Sequence, residues 1–240
     1  MATRAVACFG VIMVTERLSH PGLLQLLRLV SPMLPVGAYA YSQGLEWAVE
    51  SGWVRDERSA ADWIGGVLGA GPAQLDVPVL ARLYRAWAKD DVAPVHYWSR
   101  YLDAARESGE LQAEARQLGE SLAVLLTQLG VDAAQPWKEI EYAGFPTLFA
   151  LAAVHYRVPL PETALGFLWA WCENQVAAAI KIVPLGQAAG QRILSTLIEQ
   201  LPMAAERGLA LADDEIGVLA PRLAIGSARH ETQYTRLFRS

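Results

Sequence analysis

The sequence predicts an all-α protein: a single globular domain of roughly nine or ten helices with a flexible C-terminal tail. Three observations carry that expectation. Apolar residues recur at the 3.6-residue period of helices with one buried face. Pro and Gly fall between the periodic stretches. No useful length of chain alternates apolar and polar residues as a half-buried strand does. A chain of 240 residues is long enough to bury a large core.

The elements follow in order. A Leu-rich segment around 23–30 comes first, and Pro32, Pro35 and Gly37 end it. A helix is expected to begin near Ser42. Leu75, Val79, Leu83 and Trp87 form one apolar stripe, with Gln74, Arg82, Arg85 and Lys89 off it. Leu111, Ala115, Leu118, Leu122, Leu125 and Leu129 form a longer stripe, and Glu110, Glu114, Arg116 and Glu120 are assigned to the solvent face. Residues 162–183 are apolar nearly all round, the pattern of a central core helix, while Glu173, Asn174 and Lys181 argue against a membrane span. Pro184 should break that helix, and another resumes over 187–201. There Gly186 and Gly190 are placed on one helix face, where a neighbouring backbone could approach closely.

Composition bounds the function. Apolar residues make up 53% of the chain and charged residues 19%, below the roughly 25% charge of an average domain. That balance favours lasting protein partners. A net charge of −5 argues against general nucleic-acid binding, which needs a basic face to neutralise phosphates. Cys8 and Cys172 make neither a metal-ligand spacing nor a disulfide framework, consistent with a reducing cytoplasm. The apolar run at 5–14 is shorter than the about 20 residues a bilayer crossing needs, and no small-residue cleavage pattern follows it. Residues 1–20 are therefore read as an extension outside the core, 21–226 as the helical domain and 227–240 as a tail.

Recognisable chemistry is sparse. His20, His96, His155 and His230 are far apart, and none has a second ligand at helical spacing, so no metal site is assigned. His230 and Glu231 read as an exposed polar pair in the tail; only a symmetric dimer could bring His230 or Cys172 of two copies together around a metal. A nucleophile elbow, a P-loop and a dinucleotide fingerprint are all lacking. These residues support a helical binding or scaffold protein with no catalytic residues and no cofactor.

Three stretches are unlike ordinary core. The first, SPMLPVGAYAYSQGLE at 31–46, is a stiffened loop carrying Tyr39, Tyr41 and Gln43 into Glu46. It is either a rigid corner with its rings packed inward or a docking surface. The second, KIVPLGQAAGQR at 181–192, contains Lys181, Gln187 and Arg192. An ammonium buried without a partner is costly, so Lys181 must reach solvent or meet a carboxylate, for which Glu46 is one option. The third, RHETQYTRLFRS at 229–240, carries Arg229, Arg236 and Arg239 against Glu231, and its Tyr234, Leu237 and Phe238 have no evident place in a core. Arg and aromatic residues in a terminus are what a segment that orders on a partner would carry, with Tyr234, Arg236 and Phe238 as the expected anchors.

These three stretches resemble the signatures of the UreF family of urease accessory proteins, in the same order, over roughly residues 23–240. Trp171, Asn174 and Gln175 are also similar to the family, whereas Ala40 and Ala189 stand where polar residues are common. The resemblance implies an all-α homodimer that binds the accessory protein UreD or UreH. It further implies that the pair recruits the nickel-carrying GTPase UreG and docks on apo-urease for nickel insertion. It implies no enzymatic activity of this chain, only modulation of the GTPase. A rival reading makes the chain a catalytic activator of the GTPase, acting through Glu46, Lys181 and Arg192.

Overall fold

The computed structural model describes residues 17–218 and 220–240. Among them are eleven α-helices: α1 (His20–Leu29), α2 (Leu45–Glu50), α3 (Glu57–Ala70), α4 (Val77–Trp87), α5 (Val92–Ala104), α6 (Gly109–Gln128), α7 (Phe145–His155), α8 (Leu160–Ile182), α9 (Gln187–Ile198), α10 (Leu201–Ala210) and α11 (Pro221–His230). Short 3-10 turns cover Ala38–Ala40, Asp132–Glu139 and Asp213–Glu215, and a single π turn covers Pro72–Asp76. No strand occurs among the described residues. The protein is all-α, as its periodicity predicts. The helix count runs slightly above expectation, and a six-residue helix such as α2 is too short to show a period.

Local chemistry sets the boundaries. The Ser19 hydroxyl accepts from Gly22 N at 3.1 Å and caps α1. Asp56 and Ser59 form a reciprocal capping box at the start of α3, and hydrogen bonds from Ser59 hold the Asp56 carboxyl below its ordinary pKa. Ser108 caps α6. Proline stands in the first turn of α1, α4, α7, α8, α10 and α11, where its missing N–H has no helical partner to lose.

The core is built on α8. Ala164, Phe167, Leu168, Cys172, Val176 and Ala179 are buried along it, and it packs against α3, α4, α7, α9 and α10. On its far side α4 meets α5 and α7, with Leu80 and Leu83 fully enclosed. The stretch 57–87 is long and apolar enough to cross a membrane by length and composition, but 72% of its 18-residue apolar window is buried inside the fold, as in a core helix.

Several expectations are corrected. The helix expected near Ser42 starts at Leu45. Gly186 precedes α9 in an extended conformation, so it does not share a helix face with Gly190; only Gly190 lies tight against Ile180. Glu114, assigned to the solvent face of α6, is 4% exposed. Leu129 lies just past α6 and is 42% exposed. Most of the leader read as 1–20 lies outside the described residues, but Leu18 packs against the core and Ser19 is the cap of α1.

Candidate functional site

The first and third unusual stretches meet in space. Gly37 and Gly44 have positive φ (83° and 76°), which turns the chain sharply on both sides of the Tyr loop. Gly44 has a second constraint: a Cβ there would stand 2.8 Å from the backbone nitrogen of Ser227. The bare backbone lets α2 abut α11, and this contact brings Glu46 against the end of the chain.

Glu46 is 9% exposed and fully used. Its carboxylate accepts from the backbone N–H groups of Leu237 (2.7 Å) and Phe238 (2.9 Å). It also faces His230 Nε2 at 3.2 Å. The other ring nitrogen of His230 lies 2.7 Å from Glu110, whose second oxygen accepts from Arg236 at 2.7 Å. Both nitrogens of the fully buried His230 ring thus face carboxylate oxygens. Four side chains from α2, α6, α11 and the final segment make one continuous polar chain.

A second polar knot lies beside the first. Ser42 N donates to Ser240 O at 2.8 Å, and Arg239 N to Ala40 O at 2.8 Å. The Ser240 hydroxyl donates to Glu114 at 2.9 Å, Gln43 Nε2 donates to the other Glu114 oxygen at 2.7 Å, and Trp171 Nε1 donates to Gln43 at 2.7 Å. Asn174 reaches the Tyr41 carbonyl at 3.3 Å. Burial pushes the Glu114 carboxyl up to about 7, against the opposing pull of hydrogen bonds from Gln43 and Ser240.

The outside of the same structure is aromatic and cationic. Tyr39 is 68% exposed, Tyr234 wholly exposed and Leu237 65% exposed. The Lys181 ammonium lies over the rings of Tyr39 (5.9 Å) and Phe238 (5.6 Å). Arg229, Glu231 and Arg239 are exposed around it.

The sequence expectations fare unequally. The two rings of the Tyr loop differ: Tyr41 is packed inward, and Tyr39 faces out. Lys181 reaches solvent over aromatic rings, and no Glu46–Lys181 ion pair forms because His230 and two backbone amides occupy Glu46. His230 is not an exposed tail residue; it is the fully buried end of α11. Phe238, thought to lack a place in the core, is 6% exposed, and Arg236 is engaged with Glu110. Arg192 stands apart: it holds Glu57 of α3 through two bonds of 2.8 and 2.6 Å. Gln187 begins α9 and is exposed, outside both knots.

Sequence reasoning missed Glu110, Glu114, Ser42 and Ser240. A glutamate beside the apolar stripe, as Glu110 precedes Leu111, carries no sign that it will meet His230 and Arg236, 120 and 126 positions away. No group of three or more His, Cys, Asp or Glu side chains among the described residues is placed to hold a metal. His230 and Cys172 are both fully buried, so a second copy of the chain could not reach either without unpacking the fold. Burial also pushes the Cys172 thiol up to about 12, away from the thiolate a metal would need.

Fold and site define a helical protein whose distinctive polar residues bind its own final segment to its N-terminal loop and leave an aromatic, cationic face outside. Comparison with known proteins places that architecture. The chain belongs to the UreF family, whose model matches residues 54–198. It is similar to the urease accessory protein UreF of Alkalilimnicola ehrlichii, 53% identical over 92% of this chain and 98% of that one. The UreF proteins of Marinobacter nauticus (50%, over 95% and 100%) and Psychrobacter cryohalolentis (47%, over 94% and 97%) are similar over the same extent.

Proposed function

We propose that this chain is a urease accessory protein that acts as a non-catalytic docking platform in urease maturation. The observation that carries the reading is the convergence just described: residues 39–46, Lys181 and 229–240 form one surface whose buried carboxylates are hydrogen-bonded and whose outer side chains are exposed. Tyr39, Lys181, Arg229, Tyr234, Leu237 and Arg239 are the contact residues on this reading. Glu46, His230 and Arg236 hold the surface in shape, and Gln43 and Glu231 brace it. Exposed Tyr, Leu and Arg side chains on an ordered base suit a lasting protein interface, because the backbone that carries them is already fixed before binding.

The partner assigned to this surface is the UreD/UreH accessory protein. The pair then recruits the UreG GTPase and docks on apo-urease, in the cytoplasm, with the chain itself a homodimer that holds no cofactor and does not handle nickel. The activator alternative draws on a free cation that could enter the GTPase site. Arg192 is committed to Glu57 and lies outside both knots, so it does not complete such a site.

Two measurements test this. A tagged copy should co-purify the other urease accessory proteins from cells that express the whole set, and should restore urease activity to cells lacking their own copy. Purified chain added to the GTPase should leave its intrinsic hydrolysis rate nearly unchanged. A rate increase of about a hundredfold or more, the scale on which inserted arginines act, would replace the platform with the activator.

A further inference from the structure

A cavity of about 130 Å³ lies behind the Glu114 knot. Its walls are mostly apolar: Leu75, Leu111, Leu118, Phe145, Phe167 and Leu223. This is close to the size of a protein cavity of about 150 Å³ that takes up benzene, so one ring fits and little more. Unlike a dry packing defect, it has a charged group in its wall. Arg106, from the link between α5 and α6, lines it together with its partner Asp76 from the π turn. Single π turns are rare and gather at functional sites.

The donor inventory points to the ligand chemistry. A guanidinium has five N–H groups, and Arg106 uses two nitrogens, both on Asp76. Its Nε is buried without a partner among the described residues. The Arg106 side chain lines the cavity and keeps 18% of its surface accessible, and each of its two terminal nitrogens has a second N–H beyond its bond to Asp76. Gln43, Glu114 and Asn174, which also line the space, already bond to Trp171, Ser240 and Tyr41. Among the described residues, the one cationic donor in the wall is Arg106.

Net charge decides the rest. Asp76 already balances Arg106, and Glu107 adds a further carboxyl to the lining. An anionic ligand would enter a site with no unbalanced positive charge and would lose its hydration on the way. We propose that this cavity is a binding site for a small uncharged molecule with a ring-sized apolar body and one hydrogen-bond acceptor directed to Arg106. Gln43 and Glu114 belong both to its wall and to the knot that holds Ser240, so occupancy adjoins the docking surface directly.

Three probes titrated into the intact protein test the assignment: acetophenone (ring and acceptor), toluene (ring alone) and benzoate (ring and negative charge). The indole N–H resonance of Trp171, which lines the cavity, is the readout; that of Trp47, edge-to-face with Trp53 elsewhere, is the control. Acetophenone should shift Trp171 saturably at one site per chain and leave Trp47 in place. It should bind at least about fivefold more tightly than either other probe, the yield of one net hydrogen bond. The substitution Ala170→Leu fills the space and should abolish the effect. Should that variant lose its helicity, difference density for acetophenone in crystals of the unaltered protein decides the location. Equal binding of toluene would reduce the site to a plain void, and a preference for benzoate would overturn the charge argument. Absence of saturable binding, or equal shifts at Trp47, would overturn the site itself.

Discussion

The final ten residues contain two sets of side chains with opposite fates. Phe238 and Ser240 point inward and are buried, while Tyr234, Leu237 and Arg239 lie outside. Neighbouring positions of one irregular segment thus serve as core and as surface, and the boundary is drawn by Glu46. Its carboxylate collects the amides of Leu237 and Phe238, and this orientation sends one side chain out and the next one in. A tail composed of aromatic and Arg residues need not wait for a partner to become ordered. It can be pinned by a buried carboxylate and still expose an interface.

That contrast can be broken from the inside first. Deleting residues 231–240 should cost about 5 kcal/mol or more, because Phe238 loses its burial and Glu46 loses both backbone amides. Urea unfolding compared with the full chain measures it, and an unchanged midpoint would mean the segment is not part of the core. Glu46→Ala should cost about 3 kcal/mol in the same assay, since two backbone amides and His230 lose their acceptor together.

The Glu114 knot should make the inside sensitive to pH. Its folded-state value of about 7 stands above the ordinary 4.5, so the folded protein holds a proton that the unfolded chain releases. A carboxyl shifted upward stabilises fully below pH 4.5 and loses that contribution as pH rises through 7. Over the window from 5 to 8 the loss approaches 3 kcal/mol, at about 1.4 kcal/mol per pH unit of separation. Glu114→Gln should flatten this slope relative to the parent in urea titrations at several pH values; parallel slopes would show that Glu114 is ionised throughout. Smaller still, Gly44→Ala should cost about 2 kcal/mol through its positive φ and its approach to Ser227. Arg192→Ala, which removes a wholly exposed pair, should leave the unfolding midpoint unchanged.

Helices and the central place of α8 were legible because burial imposes a period on the sequence, and period survives without knowledge of partners. The three unusual stretches were legible as composition: Pro and Gly around paired tyrosines, a lysine amid apolar residues, an aromatic and Arg-rich ending. Which of their residues face in was not. The choice between Tyr39 and Tyr41, or between Leu237 and Phe238, rests on hydrogen bonds that tie Glu46, Gln43 and Ser42 to residues 71 to 198 positions away. Glu114 shows the limit most sharply. It stands three residues after Leu111 and four before Leu118 of the apolar stripe, and Gln43 and Ser240 complete its burial as an interior acid.

The claim that this outer face is the docking surface has one direct test. The triple substitution of Tyr234, Leu237 and Arg239 by alanine changes only exposed side chains, so unfolding should stay within about 0.5 kcal/mol of the parent. Titration calorimetry against the purified UreD/UreH partner should then show binding weakened by at least about a hundredfold, as expected when the anchors of an interface are removed. Parent-like affinity in a variant of parent-like stability would contradict the account and place the docking surface elsewhere on the protein.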